Sequence, residues 1–266
     1  MDSNREAIGI FDSGIGGLTV LRKIIERLPG ESTVYLGDTA RVPYGTKSPD
    51  TVRRYALACA RVLLDQGIKL LVVACNTATA HALEFLQDSL DIPVLGVVEP
   101  GARAAAARTV TGRVGVIGTR GTVASGVYDR AIAAIDPTIK VWGHACPLLV
   151  PLAEEGWIHG SVPEQVVQSY LSELTRHRID TLVLGCTHYP MLTDTIQATI
   201  GPAVSIVDSA EATAAVVEEI LGAADIAAMS GPARHRYLVS DAPDSFAKTG
   251  REFLKHSIDD VEWVDF

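Results

Sequence analysis

Two cysteines in this chain occupy matching contexts. One closes Leu70-Leu71-Val72-Val73-Ala74-Cys75-Asn76-Thr77, the other Thr181-Leu182-Val183-Leu184-Gly185-Cys186-Thr187-His188. Each is an apolar run ending in a thiol and followed by small polar residues. A pair of thiols on either side of one ligand can take a proton from one face of a carbon and return one to the other, which is stereoinversion at an acidic carbon. Cysteine suits that work because its ordinary pKa lies near neutrality and the thiolate is the active form. If each cysteine sits at a strand-to-helix turn, helix-terminal N–H groups favour an anion there. Those N–H groups, with Ser13, Asn76, Thr77 and Thr187, could hold a carboxylate and lower the barrier to losing an α-proton.

A thiol must lose its proton before it acts as a base, so acid–base partners are expected nearby. Asp12 ends the first apolar run, and His188 lies two residues beyond Cys186. Asp38 and Glu154 are further acids at loop positions, expected in supporting or solvent-facing places. The plain alternatives are core-filling cysteines, a structural His188, an Asp12 that only caps a helix and an ordinary turn at Tyr44-Gly45. The repeated context argues for function. Cys59, in a helical pattern, reads as a packing residue, and Cys146, before Pro147, is expected to have no function. No C-x-x-C pair occurs, which leaves a thioredoxin-like motif or zinc ribbon unsupported, and in a reducing compartment the cysteines are expected as free thiols.

The elements that would position these residues alternate regularly. Continuous Val- and Leu-rich runs mark strands buried on both faces of a parallel sheet, where ligands sit just past the carboxyl ends. Strands are expected at 7–11, 33–36, 68–75 and 93–98. Helices are expected at 18–28, from the polar loop 39–49 to about residue 66, after Cys75, and after Glu99-Pro100-Gly101. The order then restarts: 113–119 echoes the first strand, 139–144 the second, 179–186 the third and 204–208 the fourth. Four matches in sequence order imply an internal duplication. The expected fold is α/β, with two pseudo-symmetric lobes, each a parallel sheet of about four strands flanked by helices, and the active site in the cleft between them. Residues 1–98 plus 209–266 are expected to form the first lobe, the tail returning to it with a helix, a strand at 236–240 and a last helix. Residues 99–208 form the second. Gly118-Thr119 stands where the first lobe has Asp12-Ser13, so the two thiols are expected to use different partners.

The chain has 266 residues, 47% of them hydrophobic, enough to build real cores. A net charge of −9 argues against a nucleic-acid or anionic-membrane surface. The polar start, Met1 to Glu6, has no signal-like apolar region, and no apolar run is long enough to span a bilayer; the cytoplasm is the expected location. A dinucleotide site is disfavoured, because the turn glycines are Gly14, Gly16 and Gly17 with Thr19 in the third glycine's place, and Asp12 would face the pyrophosphate. A two-lobed binding protein for a small acid explains the lobes but not the matched thiols, and cysteine hydrolysis needs no second cysteine.

Phe11-Asp12-Ser13-Gly14-Ile15-Gly16-Gly17, Pro43-Tyr44-Gly45, Ala74-Cys75-Asn76-Thr77-Ala78 and Gly185-Cys186-Thr187-His188-Tyr189-Pro190 resemble the glutamate racemases of the aspartate/glutamate racemase family. The resemblance extends to Pro151-Leu152-Ala153-Glu154-Glu155-Gly156 and Val207-Asp208-Ser209-Ala210 and covers nearly the whole chain in order. It implies cofactor-independent, metal-free interconversion of L- and D-glutamate for bacterial peptidoglycan; no lysine sits in a motif suited to a PLP Schiff base. Cys75 would act on D-glutamate and Cys186 on L-glutamate. Asp12, Ser13, Tyr44, Gly45, Asn76, Thr77, Thr187 and His188 would line the substrate site, Asp12 and His188 would assist the thiols, and Asp38 and Glu154 would support them. The expected partner is the small-molecule substrate, with no nucleic acid or membrane, and the expected assembly is a homodimer. Glutamate over aspartate rests on the resemblance, since residue types do not measure pocket length.

Overall fold

The computed structural model of the protein describes residues 6–228 and 232–266, so the polar start up to Arg5 lies outside the described residues. The chain divides into two compact units, one comprising the described residues up to Val97 with Ala210–Phe266, the other Val98–Ser209. In the first, β1 (Ala7–Asp12), α1 (Leu18–Arg27), β2 (Thr33–Gly37), α2 (Pro49–Asp65), β3 (Ile68–Val73), α3 (Asn76–Ser89) and β4 (Val94–Gly96) alternate. The second contains α4 (Val98–Arg108), β5 (Arg113–Gly118), α5 (Arg120–Ala124), α6 (Val127–Ile135), β6 (Lys140–Ala145), α7 (Leu149–Glu154), α8 (Ser161–Arg176), β7 (Thr181–Gly185), α9 (Thr193–Ile200) and β8 (Ser205–Asp208). The chain then adds α10 (Ser209–Ala223), β9 (His235–Val239), α11 (Pro243–Leu254) and β10 (Val261–Trp263).

All strand pairings are parallel. The first sheet has the order β10-β9-β2-β1-β3-β4 and the second β6-β5-β7-β8. Removing β10 and β9 from the first leaves β2-β1-β3-β4, which is the second sheet's order with each strand replaced by its sequence echo. The inner strands β1, β3 and β7 are buried at nearly every position, as an all-parallel sheet covered on both faces requires. Leu18, Leu21 and Ile24 form the buried stripe of α1, while Ser48 caps α2 through Thr51 N–H with Pro49 in its first turn.

Three local expectations need correcting. The first sheet has six strands: about four were expected, with the tail strand at 236–240, which is β9, and β10 adds an unexpected one at the edge. The strand expected at 93–98 is only Val94–Gly96, and Val98 already opens α4, which takes Glu99-Pro100-Gly101 into its first turns; a proline near a helix start breaks no backbone bond. Both cysteines lie beyond their strands, since β3 ends at Val73 and β7 at Gly185.

A buried ion pair ties the first unit together. Lys69 Nζ lies 2.7 Å from Glu31 Oε2, with both side chains at most 6% exposed, and also donates to Ile226 O at 2.6 Å. Glu31 accepts from Ala228 N–H. The pair thus pins the α10–β9 connection to the start of β3. Lys69→Met leaves the Glu31 carboxylate buried without its cation and should cost about 3–5 kcal/mol in urea unfolding. Adding Glu31→Leu should recover much of the loss; a single-variant loss well under about 1 kcal/mol would remove this role.

Candidate active site

In the first unit the site is built at the carboxyl end of two paired strands. Phe11 of β1 is in register with Val73 of β3, and Ala74 N–H continues the ladder to Phe11 O at 2.9 Å. Asp12 and Cys75 therefore leave the same edge of the sheet side by side. Cys75 is the N-cap of α3: its Sγ accepts from Ala78 N–H at 3.5 Å and lies 3.6 Å from Ser13 Oγ. A thiol in this position faces the positive end of a fourteen-residue helix. Asn76 and Thr77, both 2% exposed, form the first turn of that helix.

Asp12 is fully buried, and its Oδ2 accepts from Gly14 N–H at 3.0 Å. The glycine-rich turn after it folds back closely. A Cβ on Gly17 would fall 2.5 Å from Asp12 Cβ and 2.9 Å from the Tyr35 hydroxyl, so only glycine fits. The Tyr35 hydroxyl donates to Gly14 O at 2.8 Å from below.

Asp38, just past β2, is also fully buried. It accepts from Arg41 Nε and Ser240 Oγ, each at 2.9 Å, and from the Tyr44 hydroxyl. The Tyr44 side chain is buried, with its hydroxyl 3.8 Å from Cys59 Sγ. Burial, with Cys59 and Asp38 close by, pushes the phenol far above its ordinary range, so it stays protonated. Its proton is committed to Asp38, and Tyr44 and Gly45 open the 3₁₀ turn Tyr44–Thr46.

The second unit repeats the frame with other chemistry. Gly118 of β5 is in register with Gly185 of β7, and a Cβ on Gly185 would meet Ile117 O at 2.8 Å. Cys186 follows directly. An α-helix N-terminus was expected here, but a turn and the short 3₁₀ helix Tyr189–Leu192 intervene before α9. Pro190 has no N–H to feed an α-helical ladder. In that turn His188 Nδ1 comes within 3.9 Å of Cys186 Sγ, and His188 Nε2 lies 2.9 Å from Glu154 Oε1 at the end of α7. Thr187 is buried beside them. Thr119, in Ser13's place, caps α5 by accepting from Thr122 N–H.

Burial works against a charged His188, but the hydrogen bonds with Cys186 and Glu154 outweigh it, and its pKa is pushed up to about 10 from 6.5. Both partners therefore favour the protonated ring.

The sequence reading picked out Asp12, Ser13, Cys75, Asn76 and Thr77, which the structure gathers at one strand edge. It likewise gathers Cys186, Thr187, His188 and Glu154 at the other. Asp38 is not solvent-facing; it reaches the site through Tyr44. Arg41 and Ser240 were not anticipated. Arg41 is three residues from Asp38, but nothing local marks Ser240, which follows directly after β9. A groove of about 910 Å³ lined by His159 and by α8 and α9 residues, among them Glu164 and Asp194, contains none of these groups. Among the described residues no set of three or more His, Cys, Asp or Glu side chains is placed to hold a metal ion, and no helix is long and apolar enough to cross a membrane.

Each of the two parallel α/β units, matched in strand order, places a buried thiol just past an inner strand. The Asp/Glu/hydantoin racemase family profile matches residues 8–217, and the chain belongs to that family. A protein of Geobacter metallireducens named glutamate racemase is 58% identical over 97% of this chain and 96% of its own length. Among solved structures, a glutamate racemase isoform of Bacillus anthracis superposes with a TM-score of 0.96 at 42% identity, covering 98% of both chains. The glutamate racemase of Francisella tularensis in complex with D-glutamate gives 0.93 at 35%, with the same coverage. The protein is an enzyme, an amino-acid racemase.

Because the folded-state pKa of His188 lies above that of the unfolded chain, its contribution to stability is complete below about pH 6.5 and is lost as pH rises through about 10. Glu154→Gln removes one of the two interactions that hold the proton. The His188 ring, followed by its NMR signals, should then titrate at lower pH than in the wild type. An unchanged midpoint would show that Glu154 does not act on it.

Proposed function

We propose that the protein is a cofactor-independent glutamate racemase that uses Cys75 and Cys186 as paired acid–base groups. Acting in the cytoplasm as a homodimer, it supplies D-glutamate for peptidoglycan synthesis. The observation that carries this reading is the recurrence of one device, a thiol directly past an inner parallel strand, with a different proton-handling partner each time. Asp12 stands on the neighbouring strand end for Cys75, and His188 with Glu154 stands behind Cys186.

In this reading one thiolate removes the α-proton of glutamate, leaving a planar carbanion whose charge spreads into the α-carboxylate. The opposite thiol delivers its proton to the other face. Each turnover exchanges the protonation states of the two cysteines and inverts the carbon. The mechanism requires both sulfur atoms to reach one carbon from opposite sides. Cys75 handles the proton of D-glutamate and Cys186 that of L-glutamate, as the motif resemblance implies. Ser13, Asn76, Thr77 and Thr187, with α3 N–H groups, hold carboxylate oxygens, and preorganised donors of this kind stabilise charge that develops at the transition state. Glutamate as substrate is supported by the names of the close relatives and by D-glutamate in the Francisella protein's structure.

Purified protein without PLP or metal should racemise glutamate and exchange its α-proton with solvent deuterium. Cys75→Ser and Cys186→Ser should each lower racemisation by about a thousandfold or more, since an alkoxide is a poorly matched base near neutral pH. Wild-type rates in either single variant would sink the two-thiol mechanism. Preferential turnover of aspartate would overturn the substrate, and saturable binding without proton exchange would favour a binding protein.

A further inference from the structure

Arg41 lies in the polar loop after β2, and neither the motifs nor the two-thiol chemistry uses it. Its guanidinium carbon stands 4.6 Å from the centre of the Tyr55 ring and 4.4 Å from that of Phe266. A cation between two aromatic faces is held by both ring quadrupoles. Arg41 Nη2 is buried with no hydrogen-bond partner among the described residues, so ring faces, rather than water, meet this side of the charge. The Nε donor is aimed. Nε bonds Asp38 Oδ1 at 2.9 Å, where Ser240 Oγ also donates at 2.9 Å.

Asp38 in turn receives the Tyr44 hydroxyl on its other oxygen. A fully buried carboxylate needs both a counter-charge and hydrogen bonds, and Arg41 is the cation paired with it. The Tyr55 ring that faces Arg41 also packs on the Tyr44 ring at 5.7 Å. Phe266 arrives from far along the chain. β10 pairs with β9, Val264 N–H bonds Val239 O at 2.9 Å, and Trp263 Nε1 donates to Ser240 O at 3.1 Å. The same C-terminal strand thus secures the ring above Arg41 and the residue beside Asp38.

We propose that Arg41, clamped between Tyr55 and Phe266, is a positioning residue: it fixes Asp38, which anchors Tyr44 and so sets the turn Tyr44–Thr46 that presents its main chain to the substrate. This rests on the racemase reading for its kinetic consequence, but its structural consequence does not. The C-terminal segment, which touches none of the groups assigned to proton transfer, becomes part of the support for substrate binding. Loss of the anchor loosens a binding element and leaves both thiols in place, so it raises KM more than it lowers kcat.

The test uses the full-length enzyme. Arg41→Met keeps the length of the side chain and removes the charge and the donor. It should raise KM for glutamate by about tenfold, the value of one charge-assisted hydrogen bond, and leave kcat within about threefold. In a Tyr44→Phe background, which already lacks the bond to Asp38, Arg41→Met should add little. Phe266→Ala should raise KM in the same direction, and Phe266→Tyr should restore it. Independently of any substrate, amide hydrogen exchange at Lys47, whose N–H closes the turn on Tyr44 O at 2.9 Å, should quicken in both Arg41→Met and Phe266→Ala. Unchanged exchange at Lys47 overturns the proposal even if the enzyme racemises another acid. Unchanged KM, or fully additive effects of Arg41→Met and Tyr44→Phe, overturns its kinetic half. If Arg41→Met does not fold, the Phe266 pair decides both readouts.

Discussion

The site depends on the parallel register of paired inner strands. In a parallel sheet the strands of a βαβ unit end on one edge, and each hands its chain to a helix or turn on that edge. Here the alignment of Phe11 with Val73, extended by the Ala74–Phe11 hydrogen bond, sets a carboxylate and a thiol side by side without any contact between their side chains being required. In the second unit the alignment of Gly118 with Gly185 sets Thr119 and the Cys186 thiol at the same edge. Because β1, β3 and β7 are buried nearly throughout, a slip in register would unpair buried backbone groups along a whole strand. The geometry of the chemistry is thereby tied to the most rigid part of each unit.

The fold repeats but the chemistry does not. Past β3 the chain enters a long α-helix at once, and the Cys75 thiol takes the capping position. Past β7 it makes a turn that swings His188 back onto Cys186. Past β1 stands a buried carboxylate, and past β5 a threonine that caps a short helix. Duplication supplies equivalent places for two thiols, and divergence of the next two or three residues supplies each with a different partner.

Apolar runs, turn glycines and the repeated cysteine context were enough to place the strands, both thiols and the residues within two or three positions of them. Those features are local, and burial on both faces leaves a plain compositional mark. Elements that depend on distant partners left no such mark. Val261-Glu262-Trp263 is three residues long with a charged residue at its centre, and it is a strand because β9 offers it a free edge. The turn after Cys186 departs from the helix seen after Cys75 because of Pro190 and the pull of Glu154. Asp38 reads as a loop acid in sequence, yet it is fully buried, since one of its donors lies 202 residues away. Long-range pairing of this kind is set by topology, which the strand order decides, and not by spacing.

The two supporting acids show how burial divides labour. Asp38 is sealed, with three donors and no exposure. A carboxylate so satisfied resists change and serves as a fixed post. Glu154 is 38% exposed on its side chain and shares one hydrogen bond with a buried imidazole. Its side chain is part exposed and part turned onto His188. The acid that holds structure is buried and saturated. The acid paired with the buried imidazole stays partly exposed.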